Sequence, residues 1–121
     1  MVPVTPLPID PSIYTAPKVD SHCHILDPRG FAYASDVAYR PAGQETGSAD
    51  YFAHVLDAYG VRHALLVGPN SGYGADNRCM LDAIARGNGR FKGIAVVPND
   101  EGTTRLQEFK AQGVIGIAFN L

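Results

Sequence analysis

Tryptophan is absent from this sequence, cysteine occurs twice and histidine four times in 121 residues. Two thiols, Cys23 and Cys79, with no metal-type spacing between them, do not make a disulfide framework and point to a reducing compartment. Charge of one sign is also scarce. Ten basic and twelve acidic side chains are scattered along the chain and leave a net charge of -2. With no basic stripe, neither nucleic acid nor an anionic membrane surface is an expected partner. Long apolar runs are missing too: no segment approaches the roughly 18 residues of a membrane span. The first residues lack the basic region and continuous apolar core of a secretory signal, so the cytoplasm is the expected location.

What is present suffices for a single folded unit. Hydrophobic residues make up 45% of the chain, enough for a core of ordinary size. The start, MVPVTPLPIDPSIYTAPK, holds five prolines. Proline fixes φ and removes a backbone donor, so residues 1–17 are expected to form an extended arm laid over the body, not a helix. Residues 18–121 follow as the folded portion.

Beyond the arm, two periodicities alternate. KVDSHCHI, RHALLVG (62–68), FKGIAVV (91–97) and GVIGIAFNL (113–121) are the short apolar and β-branched runs of buried parallel strands. Between them, Tyr51, Phe52, Val55, Leu56 and Tyr59 share one helical face, as do Met80, Leu81 and Ile84, and then Leu106 and Phe109. Asp50, Asp76 and Thr103 are the expected N-caps, and Gly60, Gly87 and Gly113 the left-handed residues closing each helix. Strands alternating with helices predict an α/β fold with a parallel sheet, doubly wound or rolled into a barrel, and periodicity does not choose between them. The loop at 27–49 is too long for an idle connection.

KVDSHCHILDP carries the chemistry. In a strand, residues two apart face one side, so His22 and His24 are expected to project together while Cys23 turns toward the helices as an inert buried thiol. Asp20 falls on the histidine face by the same alternation. Two imidazoles at the carboxyl end of a strand can reach one divalent cation; the competing reading makes them hydrogen-bonded core or loop residues. His54, on the polar side of its helix, and His63, at the opposite strand end, are expected to be structural.

VDSHCHILDP, FAYASDVAYRP, LLVGPNSGYGADNRCMLDAIA, RFKGIAVV and GVIGIAFNL, in this order, resemble the first part of the amidohydrolase-related family, in the branch typified by 2-pyrone-4,6-dicarboxylate lactonase. The resemblance implies a TIM-type (β/α)₈ barrel, of which four strands and three helices are present. A complete barrel takes about 250 residues, so the chain looks truncated. An unpaired edge is then expected to favour self-association.

The resemblance also implies a function: hydrolysis of a lactone or other cyclic ester or amide carbonyl by activated water. His22 and His24 would be catalytic groups and ligands for a divalent metal such as zinc or manganese, or polar groups at a metal-independent site. It leaves open decarboxylation of an aromatic or enoic acid, or a silent half-barrel needing a second chain. The partner implied is a small carbonyl substrate, contacted by Tyr39, Asn70, Ser71 and Asn120. Turn chemistry is the alternative for Asn70 and Ser71, and helix capping accounts for Asp76 and Asn77. Relatives of this branch read Gly-Val-Arg-Gly-Val-Arg-Phe-Asn where this chain reads GVIGIAFN. Ile115 and Ala118 thus stand at two arginine positions, which points to a less anionic substrate than a dicarboxylate.

Overall fold

A computed structural model describes residues 2–119; Met1, Asn120 and Leu121 lie outside it, and with them the contact expected of Asn120. The elements run α1 (Ser12–Thr15), β1 (Lys18–Cys23), α2 (Ala49–Ala58), β2 (Val61–Val67), α3 (Arg78–Arg86), β3 (Phe91–Val96), α4 (Thr103–Ala111) and β4 (Val114–Ala118). Among the described residues no helix is long and apolar enough to cross a membrane.

The four strands are parallel and lie in the order β1-β2-β3-β4. Sequence periodicity left two windings open, and this order decides between them. Each crossover steps in the same direction, and right-handed connections then place α2, α3 and α4 on one face, against β2, β3 and β4. A doubly wound sheet would reverse its order and cover both faces. Singly wound units of this kind are the repeating part of a barrel.

The covered face holds the core. Leu66 and Ala95 are wholly buried and pack with Leu56, Met80, Ile84 and Phe109; burying a leucine of this kind contributes about 2 kcal/mol. Gly93 is required by the approach of α3, since a Cβ there would lie 2.7 Å from Ile84 Cδ1. The opposite row, Leu65, Val67, Ile94, Val96, Gly116 and Ala118, follows from the pairings of β2 with β3 and of β3 with β4.

Several expectations are corrected. The arm is exposed throughout residues 2–17, as an extended segment would be, but contains one helical turn, α1. Aspartate 10 accepts the Ser12 N–H at 2.9 Å and starts that turn despite the neighbouring prolines. On α2, Leu56 and Ala49 are buried while Tyr51 and Tyr59 are 65% and 54% exposed, so the inner stripe is narrower than the periodicity suggested. Ser48, not Asp50, caps α2, accepting from the Tyr51 N–H. Asn77 and Gly102 occupy the N-cap positions expected of Asp76 and Thr103. Gly60 and Gly113 are left-handed as expected, at φ 66° and 97°, whereas Gly87 is right-handed and the reversal falls on Asn88 and Gly89.

The first strand is irregular. Asp20 pairs with Ala64 and Cys23 with Leu66, so three steps of β1 match two of β2 and one residue is extra. Alternation therefore does not carry from Asp20 to His22. Asp20 registers with the helix-facing row, and its charge acts on the Cys23 thiol.

Candidate functional site

His22 is the penultimate residue of β1 and His24 lies one residue past its end, beyond the strand in which both were expected. Their rings nevertheless meet edge to face, with centroids 5.1 Å apart. The bulge that displaces Asp20 bends the chain here, and the Asp20 carboxylate accepts the His22 N–H at 3.0 Å. His24 Nδ1 lies 2.7 Å from the carbonyl oxygen of Val67, the last residue of β2. A carbonyl only accepts, so the neutral ring carries its proton on Nδ1 and leaves the Nε2 lone pair free.

Both imidazoles line a cavity of about 480 Å³ at the carboxyl end of the sheet, within the usual range for a small-molecule site. Asn70 and Ser71 line it with them, and Val67, Val96, Ala118 and Phe119 form apolar wall. Thus four expected residues come together. The backbone carbonyls of Asn70 and Ser71 also accept turn hydrogen bonds from Gly74 and Tyr73, so turn chemistry operates alongside their place in the wall. Of the two positions where arginine was the comparison, Ala118 lines this cavity and Ile115 does not. Ile115 is the extra residue of a bulge in β4 and is 66% exposed.

Tyr39 is not brought to that wall. It is exposed, and its hydroxyl donates to the Glu45 carboxylate at 2.7 Å. That bond lowers the pKa of Glu45 and raises that of Tyr39. Among the described residues no three histidine, cysteine, aspartate or glutamate side chains converge as a metal site. His22 and His24 supply donors of a kind suited to zinc or manganese, but fewer than the three protein ligands usual for catalytic zinc.

The remaining candidates separate by location. Cys23 is half-buried with its thiol at 3.4 Å from the Leu65 carbonyl, and desolvation, with help from Asp20, pushes it up to about 12. Both causes disfavour the reactive thiolate. His54 and His63 are exposed and lie away from the cavity lining.

Sequence reasoning missed the residues that shape the site from behind. Asn77 is buried; its Nδ2 donates to the Val96 carbonyl at 2.9 Å while its Oδ1 accepts the Val96 N–H at 3.0 Å. The carboxamide thus fixes a wall residue of the cavity and does not cap α3. Asp76 does that service instead, accepting the Arg78 N–H and pairing with its guanidinium, which lowers the Asp76 pKa. Tyr73, also buried, donates to the Phe31 carbonyl at 2.8 Å and accepts the Asp27 N–H at 3.2 Å, holding the long first loop. Tyr33 packs edge to face on Tyr73 and donates to Pro41. The one sequence signal available was an aromatic and an amide inside a turn-rich stretch, YGADN.

Comparison with known proteins bears on this geometry. The amidohydrolase family profile matches residues 19–121. A 2-pyrone-4,6-dicarboxylate hydrolase of Comamonas testosteroni is 33% identical over 106 residues, covering 87% of this chain and 33% of the relative. A 4-sulfomuconolactone hydrolase of Hydrogenophaga intermedia is 30% identical over 101 residues, covering 83% and 32%. Among solved structures, one described as a probable 2-pyrone-4,6-dicarboxylic acid hydrolase from Acinetobacter baumannii, with citric acid bound, superposes with a TM-score of 0.72 at 32% identity. The match covers 83% of this chain and 36% of that one. The chain spans about a third of the length of the curated relatives it matches.

Proposed function

Because the chain belongs to the amidohydrolase family, we propose that it carries the histidine-bearing wall of a site that hydrolyses a lactone, or another cyclic ester or amide, with activated water. The observation that carries this reading is the pair itself: two imidazoles 5.1 Å apart on one cavity, one held with its Nε2 bare. The four strands and the three helices between them belong to a TIM-type barrel, in which sites are built at the carboxyl ends of the strands.

His22 and His24 are the residues that would hold a divalent cation, and when bound it would supply Lewis acidity toward the substrate carbonyl. Without one, the bare Nε2 of His24 only accepts a hydrogen bond, so it would engage the attacking water and not that carbonyl. Asn70 and Ser71 orient the substrate from the end of β2, and Val67, Val96 and Ala118 exclude water from its ring. No lysine, arginine or carboxylate is among the described residues lining this cavity. With both imidazoles on a cation, the proton of the attacking water is assigned to a group outside these residues; the substrate is assigned to a less anionic class than the dicarboxylate and sulfonate named for the relatives. Tyr39 reaches the substrate in this reading only by giving up Glu45. A reducing compartment such as the cytoplasm is supported by the free thiols Cys23 and Cys79. Pairing along the open edge of β4, by further strands or by a second copy, is supported by the exposed Ile115, Ile117 and Phe119.

The test is a chimera in which residues 19–121 replace the matching third of the Comamonas testosteroni hydrolase, assayed for lactone ring opening. A folded chimera should turn over, and the His22→Ala, His24→Ala double variant should lose at least a hundredfold. Undiminished turnover by the folded double variant would refute the assignment. The 121-residue chain alone, with zinc or manganese added, is expected to show the same background rate with and without the histidines.

A further inference from the structure

A second cavity, of about 540 Å³, lies at the opposite, amino end of the sheet, beside the starts of β2 and β3. Arg62, His63, Asn88, Gly89 and Arg90 line it, together with Asp57 from the last turn of α2. Its electrostatics are one-sided. Arg90 spends its guanidinium on the Asp57 carboxylate at 2.7 Å and on the Val61 carbonyl at 2.8 Å, which neutralises the one acid present. Arg62 and His63 are exposed and have no ion pair or hydrogen bond from their side chains among the described residues. Asn88 and Gly89, left-handed at φ 49° and 89°, present an exposed turn at the rim, and nothing lies within 4 Å of a Cβ built on Gly89.

An independent observation falls in the same place. The buried side-chain atom without a hydrogen-bond partner among the described residues is Nε of Arg90, a residue of this cavity's wall. Native proteins rarely leave such a donor unmatched, and bound water or an anion commonly supplies the acceptor. The free Arg62 guanidinium and His63 imidazole from the start of β2, with the amides of one turn, around a cavity large enough for a small ligand, form the kind of concave donor surface that takes up oxyanions.

We infer that this amino-end cleft is a second, non-catalytic site for a small oxyanion, bound through its phosphate or carboxylate group by Arg62 and His63, with the turn amides at 88–89 closing over it. The site is separate from the hydrolase proposal: His63 lies at the start of β2, whereas the carbonyl that His24 engages lies at its end.

The test is a titration of the 121-residue chain with inorganic phosphate at constant ionic strength, read by amide chemical shifts, with citrate as a parallel carboxylate arm. Saturating shifts at Arg62, His63, Asn88 and Gly89 are expected, and whichever arm saturates at lower concentration identifies the preferred group. The Arg62→Gln, His63→Gln double variant replaces two exposed side chains and should weaken that binding at least tenfold, with amide dispersion showing that its fold is kept. Linear, unsaturating shifts in both arms would overturn the inference. So would saturation unchanged in the double variant, or saturation centred on His22 and His24.

Discussion

The two ends of the sheet are held by different means. At the amino end, helices return to strands through short turns closed by backbone conformation: Gly60 at φ 66°, Asn88 and Gly89, and Gly113 at φ 97°. At the carboxyl end the connections are long and are held by buried polar side chains, Tyr73 to Phe31 and Asp27 and Asn77 to Val96, and by the half-buried Tyr33 to Pro41. A turn fixed by its own φ angles has little chain to spare. A loop pinned from behind by a few side chains leaves its other residues free to converge, and His22, His24, Asn70 and Ser71 line one cavity there. Barrel enzymes divide stability and chemistry between their ends in this way.

If the carboxyl end depends on buried side-chain hydrogen bonds, removing the most buried of them should cost most. Asn77→Ala deprives both the N–H and the carbonyl of Val96 of their partner. An expected loss of about 3 kcal/mol follows from two unsatisfied buried groups. Denaturant unfolding measures it, and a loss below about 1 kcal/mol would remove Asn77 from the account.

The amino end should respond instead to backbone changes. Gly60→Ala is expected to cost about 2 kcal/mol, because the new Cβ meets both a left-handed φ and the Tyr14 carbonyl. Gly89→Ala faces the same kind of φ with open space around it and should cost about 1 kcal/mol. Equal unfolding midpoints for the two variants would show that close approach, as distinct from φ, contributes nothing at Gly60.

Tyr73→Phe keeps the ring and its packing on Tyr33 but removes the hydroxyl between Phe31 and Asp27. About 1 kcal/mol is expected, with faster amide exchange confined to the first long loop. Exchange that rises equally in the amino-end turns would erase the distinction between the two ends.

How much of this was legible depended on whether local pattern or long-range contact decided the outcome. Strand runs such as ALLV and FKGIAV and the helix stripe Met80-Ile84 depend on period alone, and each element lies where its pattern put it. Gly60 and Gly113 were legible because a positive φ at a helix end is a local demand. Gly87 was misread because the neighbouring Asn88 tolerates that conformation as well. Asp20 was misassigned because a bulge breaks the two-residue period and leaves no composition signal. The histidine pair could be read from spacing, but the tautomer of His24 depends on Val67, 43 residues away. Asn77 looked like a cap because its strand partner is likewise remote, 19 residues on.

The central claim is that His24 is locked with Nδ1 protonated against Val67 and Nε2 open toward the cavity that it shares with His22. Long-range ¹H–¹⁵N correlation spectra of the imidazoles, taken at a pH where the rings are neutral, read this directly. The account predicts a protonated Nδ1 and a bare Nε2 for His24, with zinc addition shifting His22 and His24 together while His54 and His63 stay in place. A His24 ring protonated on Nε2, or zinc shifts that spare His22, would contradict it.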